Sequence, residues 1–218
     1  MTLPDRLAAV QAGVTDAAAD AGRDPGSITT IVVTKFHPAA LVRELHALGV
    51  RDFGESRHQE AAPKVAELAG LDAVTWHFIG QVQSNKAKQV AEYSDVIHSF
   101  DRQSLVGPLA GSRVFIQVNL TDDPDRGGVQ PEGIEPLAEL AAGGGLEVLG
   151  LMAVAPLDAE PRSAFARVRG LSESLTRVLP SATALSMGMS ADYADAILEG
   201  ATHLRIGTAI TGNRPTKG

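Results

Sequence analysis

Short apolar runs rich in β-branched residues recur along the chain, and each is followed by a segment whose apolar positions repeat with helical spacing. This alternation is typical of parallel strands that are joined by helices. The predicted strands are 28–33, 50–53, 74–79, 95–99, 113–120, 146–154, 184–187 and 203–206.

A helix is predicted ahead of the first strand. Thr2 and Asp5 have the spacing of a capping box, and Gly22 is placed to end the helix. Further helices that lie against the sheet are predicted before Gly49 and before the glycines at 143–145. The apolar face of the first helix is formed by Leu7, Val10, Val14 and Ala17.

Eight βα units in a chain of 218 residues leave roughly 25 residues for each unit, which fits a compact barrel near the lower size limit of that fold. An open doubly wound sheet is the competing interpretation. It is disfavoured because residues 34–38 read Thr-Lys-Phe-His-Pro, without the G-x-G-x-x-G sequence expected after the first strand. We expect an α/β protein with a single (β/α)8 TIM barrel and its leading helix over 1–212, and a tail over 213–218.

Composition restricts the chemistry that is available. A net charge of −7 disfavours nucleic acids and anionic membranes as partners. The sequence has no recognisable secretory or membrane-spanning segment, so we expect a cytoplasmic protein. The absence of cysteine excludes disulfides, thiolate metal sites and cysteine nucleophiles. The six histidines lack the spacing of a ligand set, and no metal is expected.

Lys35 follows the first predicted strand and shares a strand face with Ile31 and Val33. Its side chain is therefore expected to point into the barrel or its mouth, where barrel proteins carry their functional groups. Burial there would favour the neutral amine, the form that attacks a carbonyl to give a Schiff base. The alternative is a lysine that extends along the rim and places its amine in solvent.

The last two predicted strands end in sequences that suit a phosphate group. Residues 186–190 lead into a helix predicted over 191–198, for which Ser190 is a candidate N-cap, and Gly207 and Thr208 follow the last strand. Backbone N–H groups in these two loops favour an anion at this position of a barrel. Simple capping by Ser190, without any ligand, is the alternative.

Arg205 is predicted to point inward, where its guanidinium is a permanent hydrogen-bond donor. Pyridoxal 5′-phosphate (PLP) suits the three features together. Its aldehyde matches Lys35, its phosphate matches the two loops, and its ring nitrogen matches Arg205. A sugar-phosphate aldolase that uses a lysine Schiff base accounts for the first two features and stays open.

A third polar segment, residues 76–86, follows the third predicted strand. His77 is a candidate acid or base, although a lone histidine in an apolar strand is more often a core residue. Ser84 is a candidate helix cap. Asn85 and Lys86 suit a solvated helix start as well as a binding site.

Together these motifs resemble the pyridoxal phosphate homeostasis protein family, also called the YggS or PROSC family, over nearly the whole chain. The resemblance implies a barrel similar to the N-terminal domain of alanine racemase, with PLP carried as a Schiff base on Lys35. The matching segments are 32–35, 53–55, 76–80, 83–86, 98–99, 117–119, 150–152, 186–190 and 205–210.

Matched motif by motif, the resemblance implies that Ser190, Gly207 and Thr208 hold the phosphate and that Arg205 faces the pyridine nitrogen. The chain departs from the family pattern at Ser56, where the family has asparagine, and at Thr211, where it has a large apolar residue. Serine reaches less far than asparagine, so cofactor affinity is expected to change more than the fold. The other positions expected near the cofactor are Asn85, Met152 and Met189.

No residue is assigned a catalytic role. Racemisation needs bases on both faces of the α-carbon, and the similar racemases take one base from a second domain. An arginine opposite the ring nitrogen also weakens PLP as an electron sink. The resemblance therefore implies a PLP carrier in intracellular PLP homeostasis, with PLP-dependent apoenzymes as candidate recipients. A monomer is expected, because racemase-like dimers share their active sites through the second domain that this chain lacks. A racemase with Tyr193, His77 or Tyr93 as a base, and the cofactor-free aldolase, are the alternatives.

Overall fold

Eight parallel strands close into a barrel in this computed structural model, which describes residues 1–123 and 126–213. Each strand pairs with the next along the chain, and β8 pairs with β1 to complete the ring. The predicted α/β TIM barrel is confirmed. The strands are β1 (Thr29–Val33), β2 (Asp52–Glu55), β3 (Thr75–Phe78), β4 (Val96–Phe100), β5 (Arg113–Gln117), β6 (Glu147–Met152), β7 (Ala184–Ser186) and β8 (His203–Ile206).

Helices surround this ring and bury their apolar faces against it. The connection from β4 to β5 contains only a short 3-10 helix, Gln103–Leu105, where the other connections contain an α-helix. The α-helices are α1 (Leu3–Asp20), α2 (Ala39–Ala47), α3 (His58–Glu67), α4 (Ala87–Ala91), α5 (Ile134–Gly143), α6 (Pro161–Val178), α7 (Tyr193–Leu198) and α8 (Thr208–Thr211).

The leading helix α1 is formed as predicted. The Asp5 N–H donates to the Thr2 hydroxyl and the Thr2 N–H donates to the Asp5 carboxylate, which completes the capping box. Its four predicted apolar positions are buried. Arg6 also donates from Nε to the Ile210 carbonyl at 2.6 Å, so α1 is tied to the last helix of the barrel. No helix within the described ranges is both long and apolar enough to span a bilayer.

Two predicted caps are wrong. Helix α7 begins at Tyr193 rather than Ala191, because Asp192 accepts a hydrogen bond from the Met189 N–H at 2.6 Å and holds the preceding loop outside the helix. Ser190 therefore does not cap it. Ser84 lies inside the 3-10 helix Ser84–Lys86, and α4 starts after it at Ala87. Of the predicted tail, residues 214–218 lie outside the described part of the chain.

Candidate functional site

A cavity of about 290 Å³ lies where β1, β7 and β8 end. This is the carboxyl edge of the barrel, at which functional groups were expected. Val33 and Ile79 contribute apolar surface to it. Six residues of the predicted site line the cavity together: Lys35, Met189, Ser190, Arg205, Gly207 and Thr208.

Lys35 lies two residues beyond the end of β1 and is exposed. The burial expected from strand alternation is therefore wrong, because the chain leaves the strand at Thr34 and turns. Its position agrees with the alternative in which the amine reaches solvent at the rim. The Lys35 Nζ atom lies 5.9 Å from the centre of the Phe36 ring.

The turn that carries Lys35 is fixed by its neighbours. Phe36 has a φ of 68°, a left-handed conformation that is unusual for a residue with a side chain. Its N–H donates to the Glu60 carboxylate of α3 at 3.1 Å. This hydrogen bond holds the backbone on the carboxyl side of Lys35.

A buried ion pair holds the other side of the turn. Lys64 of α3 donates to Glu55 Oε1 at 2.6 Å and to the Thr34 carbonyl at 2.9 Å. The Thr34 hydroxyl donates to the same Glu55 oxygen at 2.7 Å. Burial raises the pKa of the Glu55 carboxyl, and the Lys64 charge opposes part of that rise. The sequence did not predict a role for Lys64. Its one distinguishing feature there is a position on the side of a helix that faces the barrel.

The loops after β7 and β8 are joined at the cavity. The Ala209 N–H of α8 donates to the Ser190 hydroxyl at 3.3 Å, so Ser190 links the two loops instead of capping α7. Gly188 allows this arrangement, since its φ is 92° and a Cβ atom there would lie 2.6 Å from the Ala196 Cβ. The two segments predicted to hold a phosphate therefore meet at one place.

Arg205 points into the barrel, as predicted, and only 4% of its surface is exposed. Its Nη1 donates to the Ser186 hydroxyl at 2.6 Å, and its Nη2 donates to the Ala153 carbonyl at 2.9 Å. Burial lowers the pKa of Arg205 to about 10, and Asp192 opposes that shift. The guanidinium is consequently still charged at neutral pH.

Three of the predicted residues lie elsewhere. Ser56 lines a separate pocket of about 210 Å³, next to Arg57. Asn85 is exposed on the 3-10 helix between β3 and α4. Met152 is buried in the barrel interior, where it packs with Phe115. None of the three is among the described residues that line the cavity around Lys35.

The histidines show no metal arrangement. Across the described ranges, no three His, Asp or Glu side chains are grouped so that they could hold an ion. His77 is 3% exposed, and both of its ring nitrogens have hydrogen-bond partners. This agrees with the interpretation of His77 as a core residue.

Comparisons with known proteins identify relatives of this chain and of its fold. A pyridoxal phosphate homeostasis protein of Pseudomonas aeruginosa is 44% identical, over 98% of this chain and 96% of that protein. The structure of PipY from Synechococcus elongatus with PLP bound is 36% identical with a TM-score of 0.82, and the match covers 97% of this chain and 100% of PipY. Alanine racemase from Corynebacterium glutamicum, at 16% identity and a TM-score of 0.69, shares the fold over 99% of this chain and 62% of the racemase.

The model of the alanine racemase N-terminal domain family matches residues 8–215. Several further relatives at 36–38% identity carry the name pyridoxal phosphate homeostasis protein. The chain belongs to the alanine racemase N-terminal domain family and, within it, to the pyridoxal phosphate homeostasis proteins.

Proposed function

We propose that this protein binds PLP in the cavity around Lys35, carries it as a Schiff base on that lysine, and acts in PLP homeostasis in the cytoplasm. The observation that carries the proposal is that one cavity combines Lys35, the joined loops at Ser190 and Gly207, and the buried cation of Arg205. The PLP-bound structure of PipY supports it, because the match covers all of PipY and 97% of this chain.

The residues of the cavity fit the chemical groups of PLP. Val33 and Ile79 offer an apolar surface to the ring, and Ser190 and Thr208 offer hydroxyl groups to the phosphate. Arg205 can only donate, so it engages an unprotonated ring nitrogen. When bound, PLP supplies an aldehyde that condenses with a lysine amine and releases water. The exposed position of Lys35 leaves its amine accessible to that aldehyde.

The same cavity favours a carrier over a racemase. The candidate bases Tyr93, His77 and Tyr193 are not among the described residues that line it. Arg205 disfavours a protonated pyridine ring, and a neutral ring withdraws electrons from a carbanion less strongly. The relatives are named for homeostasis rather than for a reaction. We propose that the protein transfers or buffers PLP without turnover of its own, with PLP-dependent apoenzymes as recipients.

The test is the absorbance spectrum of the purified protein titrated with PLP. We expect a visible Schiff-base band in the wild type, no such band in Lys35→Ala, and an unchanged band in Lys88→Ala. Lys88 is an exposed lysine of α4 and serves as the matched control. Borohydride reduction followed by peptide mass analysis should then locate the added mass on Lys35.

Two outcomes contradict the proposal. An unchanged band in folded Lys35→Ala would assign the Schiff base to another lysine. No band in the wild type at any PLP concentration would leave the aldolase, which is tested by borohydride trapping of a sugar phosphate on Lys35.

A further inference from the structure

A continuous line of hydrogen bonds crosses the barrel interior and ends at Arg205. Asp52, the first residue of β2, lies 3.0 Å from His77 Nε2, and His77 Nδ1 lies 3.0 Å from His98 Nε2. His98 Nδ1 lies 2.8 Å from Ser186 Oγ, which accepts from Arg205 Nη1 at 2.6 Å. The line connects residues of five strands, β2, β3, β4, β7 and β8.

Only one proton arrangement satisfies every bond in this line while both histidines are neutral. Arg205 can only donate, so Ser186 Oγ accepts from it and directs its own proton to His98 Nδ1. His98 then carries its proton on Nε2 and donates it to His77 Nδ1. His77 in turn donates from Nε2 to the Asp52 carboxylate. Every donor therefore points from the cation at one end towards the anion at the other.

Burial supports a neutral His98 in this line. His98 is fully buried, and burial, followed by the neighbouring His77, holds the pKa of His98 well below its usual range. A proton on His98 Nδ1 would face the Ser186 oxygen and leave the serine hydroxyl without its acceptor. Arg205 thus fixes the direction in which each residue of the line donates its hydrogen bond.

We propose that Asp52, His77, His98 and Ser186 are positioning residues that hold the Arg205 guanidinium in its orientation through this line of hydrogen bonds. The line, together with the Ala153 carbonyl, determines how Arg205 meets the ring nitrogen of PLP. The effect of this line on PLP binding rests on the proposed function, whereas the arrangement of protons along the line does not.

The barrel interior contains a suitable control for this proposal. The ring of His203 lies 6.4 Å, centre to centre, from the rings of both His77 and His98, so it occupies the same part of the interior. Its Nδ1 nevertheless contacts the Thr202 hydroxyl at 2.8 Å, outside the line. Replacing His203 therefore removes a neighbouring imidazole and leaves every bond of the line in place.

The first test measures PLP affinity and the absorbance maximum of three variants. Ser186→Ala removes the oxygen that joins Arg205 to His98, and we expect PLP to bind about tenfold more weakly, with a shifted band, from the loss of one charge-assisted hydrogen bond. Ser186→Thr keeps the hydroxyl and should restore both values, and His203→Gln should leave both near wild type. Folded Ser186→Ala with unchanged affinity and spectrum would overturn the proposal.

The second test needs no cofactor and no variant. Imidazole ¹⁵N NMR of the wild type without PLP should show His77 and His98 as neutral rings protonated on Nε2. A proton on Nδ1 of His98, or a cationic His98 at neutral pH, would overturn the proposal even if Ser186→Ala does not fold. A protein that shows these tautomers but no PLP band would contradict the proposed function instead.

Discussion

Two lysines near the cavity, Lys35 on the turn after β1 and Lys64 of α3, differ in their surroundings. Lys35 is exposed, whereas Lys64 is 8% exposed and forms a buried pair with Glu55. Removing one partner of a buried pair leaves the other charge uncompensated, which typically costs about 3–5 kcal/mol. We expect Lys64→Met to lower the free energy of unfolding by that order at pH 7.5 and to weaken PLP binding, because the Thr34 carbonyl also loses its donor.

The pH dependence of this variant follows from Glu55. Its pKa is raised in the folded protein, so its contribution to stability is present at low pH and declines as the pH rises through that pKa. Without Lys64 the pKa rises further, and the loss of stability relative to wild type should be smaller at pH 5 than at pH 7.5. Urea unfolding at both pH values measures this, with Lys88→Met as the exposed control. An equal loss at both pH values would contradict the role of Glu55.

Sequence reasoning predicted six of the residues that line the cavity, but not the contacts that hold them. Lys35 could be found because the carboxyl-edge rule acts locally, and Arg205 because strand alternation does. The contact between His98 and Ser186 joins residues 88 positions apart, and no local pattern encodes it. The N-cap predicted at Ser190 is wrong because Asp192 accepts from the Met189 N–H and holds Ser190 outside α7. The contact that Ser190 does make, with Ala209, belongs to another βα unit.

At the scale of elements, the loop between β7 and α7 depends on one glycine. Gly188 has a φ of 92°, and a Cβ atom there would lie 2.6 Å from the Ala196 side chain of α7. We expect Gly188→Ala to lower the free energy of unfolding by about 2–4 kcal/mol, from the overlap and the left-handed backbone together. PLP affinity should also fall, because the displaced loop carries Ser190.

Gly170 provides the matched control for this variant. It lies inside α6, it is exposed, and a Cβ atom built there has no atom within 4 Å other than those of its chain neighbours and its own helix backbone. Gly170→Ala should therefore stabilise the protein by about 0.5–1 kcal/mol, through helix propensity alone. Urea unfolding followed by circular dichroism compares the two variants. An equal change in the free energy of unfolding for both variants would contradict the prediction, because it would mean that the chain accommodates a Cβ atom at Gly188 without loss of stability.

All eight strands overlap the segments that the hydrophobic pattern predicts, but the pattern predicts their ends less well. The fifth strand was expected over 113–120 and ends at Gln117. Val118 and Leu120 continue the apolar pattern and are buried, yet they lie beyond the last ladder pair. Val118 makes an isolated bridge to Val129, and its N–H donates to the Met152 carbonyl at 2.8 Å. Side chains beyond the end of the strand are therefore still buried. A hydrophobic pattern indicates which residues are buried, and it does not show where the pairing between strands ends.

At the scale of the whole molecule, the closed ring leaves no strand edge within the barrel for a second copy to extend. Among the described residues, only five large apolar side chains are exposed: Met1, Leu48, Leu140, Leu157 and Met189. Stable dimers usually require a sizeable apolar contact area. These features favour the monomer that the sequence suggested.

Size-exclusion chromatography with X-ray scattering tests the monomer directly. A compact chain of 218 residues should have a radius of gyration of about 17 Å, and a compact dimer about 22 Å. We expect the smaller value with and without PLP, because the closed barrel offers no strand edge for a second copy to extend. A radius near the larger value that persists on dilution would contradict this prediction and would place a second copy against the barrel.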